Sequence, residues 1–250
     1  MAEQPALVLI APYGPDLWRA VRTAMTSERQ TLCRELGRQN SIPDLAAQVL
    51  ASCPPRFCLA GFCLGAAVAI EIAGLARERV LGLAVINASL APDSQTQRVI
   101  RRQRIAKLDE KVRHGLQYPD VDYVEQTARW LVAPGAARAE LRARAMLARV
   151  PIAQSLAHQA ALLTRPDPRP TLAAELAPVV AISGDHDRIC APIEAADLPQ
   201  GPIHSAHLLR GCGHLSPLER PETVAMLMNA WLKRIDSSQA NKGQDRELTN

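Results

Sequence analysis

No apolar run in this chain approaches the ~18 residues of a membrane span, so none is expected. Met1 to Pro5 carries no basic flank and no apolar signal segment with a cleavage site, and a cytoplasmic location is expected from that. The six cysteines, at positions 33, 53, 58, 63, 190 and 212, follow no repeating spacing. A disulfide scaffold is therefore not expected, and free thiols are. Nor does charge of either sign dominate. A net charge of +4 and a pI near 8.9 are too mild to argue for nucleic acid. What remains is a chain of 250 residues, 48% hydrophobic, long enough to bury one large core in an α/β arrangement.

The rest of the chain is organised around Arg56 to Ala69, which reads as a short buried strand, a turn between two glycines and a helix opening with small residues. Gly61-Phe62-Cys63-Leu64-Gly65 is a Gly-x-Cys-x-Gly pattern, the Gly-x-Ser-x-Gly nucleophile elbow with sulfur in place of oxygen. Such a turn sets its middle residue above the sheet at the positive end of the following helix, where the field favours a thiolate. A Cβ at Gly61 or Gly65 would collide with the neighbouring strand or helix. The backbone N–H of Leu64 would face the same space and hold a developing oxyanion.

Two further stretches complete the pattern. The apolar run Pro178 to Ser183 ends in Gly184-Asp185-His186-Asp187, and Cys212-Gly213-His214 follows a second run. The order nucleophile, acid, histidine is that of the α/β hydrolases. On these three motifs the chain resembles the α/β-hydrolase superfamily, in its small esterase-like branch, from about Pro5 to about Ile235. The resemblance implies an α/β fold, a mostly parallel sheet flanked by helices. It also implies Cys63 as nucleophile, His214 as base and Asp187 as the acid of a Gly-x-x-Asp motif, with Asp185 as the competing acid. Where relatives carry a His-Gly or Pro-Gly pair, this chain has Ala11-Pro12, which makes the Tyr13 amide the second oxyanion donor beside Leu64.

Along the chain, Ala6 to Ala11 and Val80 to Asn87 read as further buried parallel strands, and Ile42 to Leu50 as an amphipathic helix. Thr31 to Ser41 shows no clear strand. From Gln95 to Pro170 the strand runs stop. Helices are expected at Arg98–His114, Val121–Leu131, Ala139–Val150 and Pro151–Thr164. The resemblance implies that residues 95–170 form a cap over the site, inserted between core segments 1–94 and 171–236. Residues 237–250 are polar and aperiodic, and a disordered tail is expected there. The inserted region holds 14 Lys and Arg against seven Asp and Glu, a net of +7 that leaves −3 for the rest. It reads either as a solvated helical face or as a cationic rim attracting an anionic substrate or carrier.

A cysteine needs a base to act at neutral pH, and an acyl-cysteine is a thioester open to water, amines and thiols alike. The expected function is a cysteine-dependent acyl hydrolase of an ester, thioester or lactone, without cofactor or metal. The partner would be a small acyl substrate, free or carrier-bound, with no nucleic acid and no membrane. An acyltransferase or condensing enzyme of secondary metabolism is the alternative; dienelactone hydrolases and polyhydroxyalkanoate synthases, both with cysteine elbows, mark the two outcomes. A non-catalytic binding relative, with Cys63 a buried filler, is the third reading. His204 and His207 stand an odd number apart on a strand and face opposite sides, which argues against a metal site. The remaining cysteines, Cys190 among them, read as small apolar fillers.

Overall fold

The computed structural model describes the backbone of residues 4–174, 177–200 and 204–247, and side chains as far as residue 240. Six strands form one sheet: β1 (Ala6–Ala11), β2 (Thr31–Glu35), β3 (Phe57–Phe62), β4 (Val80–Ile86), β5 (Val179–Gly184) and β6 (Ser205–Leu209). Their order is β2-β1-β3-β4-β5-β6, and every pairing is parallel. In β1, β3, β4 and β5 every residue is buried, as continuous apolar runs require when helices cover both faces. β1 shows the alternation: Leu7 and Leu9 pack toward one layer, Val8 and Ile10 toward the other.

β2 was not expected. Its sequence, Thr-Leu-Cys-Arg-Glu, has no apolar run because it is an edge strand, half-exposed along its length. Pairing to β1, from Leu7 against Thr31 to Ala11 against Glu35, holds it in place.

On one face of the sheet lie α1 (Arg19–Ala24) and the long C-terminal α10 (Pro221–Glu247). Gly82 of β4 admits α10 closely, since a Cβ there would stand 2.2 Å from Ile235 Cδ1. On the other face lie α2 (Ile42–Leu50), capped by the Ser41 hydroxyl, and α3 (Leu64–Leu75). Between β4 and β5 come α4 (Gln95–Arg113), α5 (Val121–Leu131), α6 (Ala137–Leu147), α7 (Ile152–Leu163) and the short α8 (Arg169–Ala173); α9 (Ser216–Glu219) precedes α10. A capping box between Ser94 and Gln97 starts α4, and Asp120 caps α5.

The polar end of the chain differs from the expected tail: α10 runs on to Glu247, with residues 248–250 outside the described ones. No proline interrupts it, and lengthening a helix already nucleated by Val224, Met228 and Trp231 adds a hydrogen bond per residue without a new nucleation cost. Among the described residues no helix is long and apolar enough to cross a membrane.

Candidate active site

The turn from β3 into α3 has the geometry its glycines predict. Cys63 adopts φ 52° and ψ −115°, a positive φ that a non-glycine residue rarely holds. Its amide donates to Ile86 O at 3.0 Å, fixing the turn against the end of β4. A Cβ on Gly65 would lie 2.4 Å from Ile10 O, and one on Gly61 would lie 2.3 Å from Gly65 O. The close crossing of strand and helix requires both glycines.

Two loops at the same end of the sheet bring up the other groups. After β5 the chain turns so that Asp187 Oδ1 accepts the amides of Ile189 (2.8 Å) and Cys190 (3.0 Å). Asp187 Oδ2 accepts Asn87 Nδ2–H at 3.0 Å and His214 Nδ1–H at 2.8 Å. The pair is shut away from water, each side chain 1% exposed. Burial opposes ionisation of Asp187, but the hydrogen bond and charge of His214 and the other donors hold it below the usual carboxylate range. The competing acid, Asp185, accepts the Cys212 amide instead, at 3.1 Å.

His214 is held as firmly. Its amide donates to Leu131 O at 2.8 Å, and its ring lies 5.0 Å from that of Phe62. Glu219 Oε2 accepts from both Gly213 N and Ala133 N, at 2.9 Å each, and ties the histidine loop to the end of α5. With Nδ1 engaged, Nε2 is buried without a hydrogen bond of good geometry among the described residues, within electrostatic reach of Cys63. Burial alone would lower the imidazole. The Cys63 charge and the Asp187 hydrogen bond override it and raise the pKa from 6.5 to about 10.

Over residues 8–227 the sequence matches a model described as the alpha/beta hydrolase family. The chain belongs to that family. No curated protein matches it. Among solved structures the hydrolase is similar to a thermophilic esterase from Thermogutta terrifontis, at 22% identity and TM-score 0.77, over 93% of this chain and 91% of that one. It is also similar to a carboxylesterase structure from Nitrososphaera gargenis (17% identity, TM-score 0.74, 95% and 93% covered). An enol-lactonase from Burkholderia xenovorans is a third (15%, TM-score 0.67, 92% of each). At these identities the likeness is one of fold.

Cys63 of the hydrolase has a thiol neighbour that the sequence did not reveal. The neighbouring Cys190 thiol is the largest influence holding the Cys63 pKa well below the ordinary thiol range; burial opposes it and the His214 charge assists. Cys190 itself is pushed well up, first by that same contact and then by burial, and keeps its proton. Reading Cys190 as an apolar filler missed this, because only the turn after Asp187 brings it over the elbow. Asn87 was missed as well. It sits at φ 45°, bonds Asp187 and Gly213 O, and accepts from the Ser216 hydroxyl. An asparagine closing a strand, next to an expected catalytic loop, was the available signal.

The sulfur opens into a cavity of about 710 Å³, lined at its floor by Pro12, Tyr13, Cys63, Leu64 and His214 and elsewhere mainly by α4, α5 and α7. Neither the Tyr13 nor the Leu64 amide donates to another group among the described residues. The Tyr13 ring leans on Phe62, centroids 6.2 Å apart. Asp187, Cys190 and His214 bring possible metal-ligand atoms within 4.8 Å of one another. An ion there would have to displace the Asp187–His214 hydrogen bond. His204 and His207 lie elsewhere, on Val179 N and the Ser205 hydroxyl.

Proposed function

We propose that the protein is a cysteine-dependent acyl hydrolase acting on a small carboxylic ester, thioester or lactone. The observation that carries this reading is the position of Cys63. It stands at a positive-φ elbow on the floor of a cavity, beside an imidazole hydrogen-bonded at 2.8 Å to a buried carboxylate. The raised His214 and lowered Cys63 favour a thiolate–imidazolium pair at rest. The helices of residues 95–170 serve as a cap that shapes the cavity.

The thiolate attacks the substrate carbonyl carbon, and the carbonyl electrons move to oxygen. The amides of Leu64 and Tyr13 receive that oxyanion. As the tetrahedral centre collapses, the bond to the leaving oxygen or sulfur breaks and His214 Nε2–H supplies its proton. The product is a Cys63 thioester. Water then attacks it while His214 takes up the proton, and the thiolate departs with the acid released. Asp187 holds the imidazole in one tautomer throughout. Ester and lactone chemistry accords with the esterase, carboxylesterase and enol-lactonase among the similar structures.

The test is release of p-nitrophenol from short acyl esters by the purified chain, with Cys63→Ala beside it. Steady turnover abolished by the substitution supports hydrolysis. A single-turnover burst that resumes only on adding an amine or thiol assigns the protein to acyl transfer instead. Absence of any burst, with Cys63 alkylated no faster than Cys33 or Cys53, leaves a binding protein.

A further inference from the structure

The cavity has a sign. Its wall carries Arg101, Arg104, Lys107, Lys111 and Arg165 against a single carboxylate, Asp93. Three of these cations are engaged. Arg101 and Arg165 both hold Asp93, at 2.8 and 3.1 Å, and Lys111 holds Asp120 at 2.9 Å. Arg104 and Lys107 form no ion pair among the described residues. They lie one turn apart on the cavity side of α4, so two like charges stand side by side. Most other cations of this region face acidic neighbours outside the cavity, as Arg113 faces Asp109 and Arg144 faces Glu125 and Glu140.

Arg104 also stands in electrical reach of the elbow. The Tyr13 phenol, packed on Phe62, is acted on by the charges of both Cys63 and Arg104. The lining also holds apolar side chains, Ile100, Leu108, Leu131 and Leu162 among them, alongside polar ones such as Gln97 and Gln126. Cations set beside apolar residues in a concave wall concentrate a field that draws in anions.

We infer that the substrate is an acyl compound bearing a carboxylate or phosphate at the far end of a short apolar chain, the anion seated on Arg104 and Lys107 while its carbonyl meets Cys63. This deepens the acyl-hydrolase reading and rests on it for the position of the carbonyl.

Two measurements test it separately from catalysis. Calorimetric titration of the Cys63→Ala chain with monomethyl glutarate and with neutral dimethyl glutarate reads binding alone. The monoacid is expected to bind more tightly at low salt, with the advantage shrinking as salt rises. Turnover of mono-p-nitrophenyl glutarate, of p-nitrophenyl butyrate and of 4-acetoxybenzoate then reads selectivity, the last placing the anion on the leaving group. The charged ester whose anion reaches α4 should exceed the neutral one, and the double variant Arg104→Gln/Lys107→Gln should cut that ratio about tenfold or more. Arg98→Gln, a cation of the same helix outside the cavity, should leave the ratio in place. Equal binding of monoacid and diester, or an unchanged ratio in the double variant, overturns the inference. Preferential binding of the monoacid without turnover of any ester upholds the anion seat and refutes the hydrolase reading instead.

Discussion

The sheet and the helices inserted after β4 are built on opposite terms. Four central strands hold no exposed residue, whereas α4 buries one side chain fully, Leu108, in 19 residues. The sheet positions the proposed reacting groups: Cys63, Asp187 and His214 follow the C-terminal ends of β3, β5 and β6. The inserted helices supply most of a cavity wall and four of its five cations. Under the proposed function, chemistry rests with the buried strands and selection of what reaches it with the more exposed helices.

The strongest way to break this contrast is at the sulfur. Cys63→Ala should lower turnover by about 10⁴-fold or more with little change in melting temperature, measured by ester hydrolysis and calorimetry. Cys58, five residues earlier within β3, is buried and pushed up to about 12, so its thiol should resist alkylation at any neutral pH. Next come the glycines. Gly65→Ala would force a Cβ to 2.4 Å from Ile10 O and should cost about 3 kcal/mol or more, or prevent folding. In the inserted region Gly115, at φ 77°, has open space around it, and alanine there should cost only about 1 kcal/mol of backbone strain. Denaturant titration of the two variants compares the regions directly.

pH sharpens the comparison. Because His214 is raised to about 10 and Cys63 is lowered, a thiolate–imidazolium pair is expected between those limits. Iodoacetamide should therefore modify Cys63 at neutral pH and slow only as pH falls through its lowered pKa. Turnover should fall as pH rises through about 10, where the imidazolium gives up the proton meant for the leaving group. Cys190→Ala removes the neighbouring thiol that most lowers Cys63 and should move the acid limb of the alkylation profile up by roughly one unit, with Cys190→Ser restoring part of it. The smallest effect is expected among the helices. Arg144→Gln, which removes the ion pairs to Glu125 and Glu140, should leave the denaturation midpoint almost unchanged.

Legibility in the sequence followed the same division. The apolar runs that became β1, β3, β4 and β5 announced themselves, since a strand buried on both faces needs no alternation to be seen. The edge strand β2 did not, because its half-exposed residues carry neither run nor period. Each of the four helices from α4 to α7 began and ended within three residues of its expected bounds. Cys63, Asp187 and His214 were readable because short motifs with glycine spacing mark where strands end. Cys190 and Asn87 were not, for their partners are 127 and 100 residues away in sequence and only the closed fold brings them together.

The attachment of the histidine loop to the end of α5 has a mechanical side. Leu131 O receives the amides of His214 and Leu215, and Glu219 clamps Ala133 to Gly213. Swinging that helix outward would drag the imidazole off its carboxylate and disarm the sulfur. The position of the imidazole is therefore tied to that helix, and a crosslink between α5 and the histidine loop should leave the Asp187–His214 pair assembled.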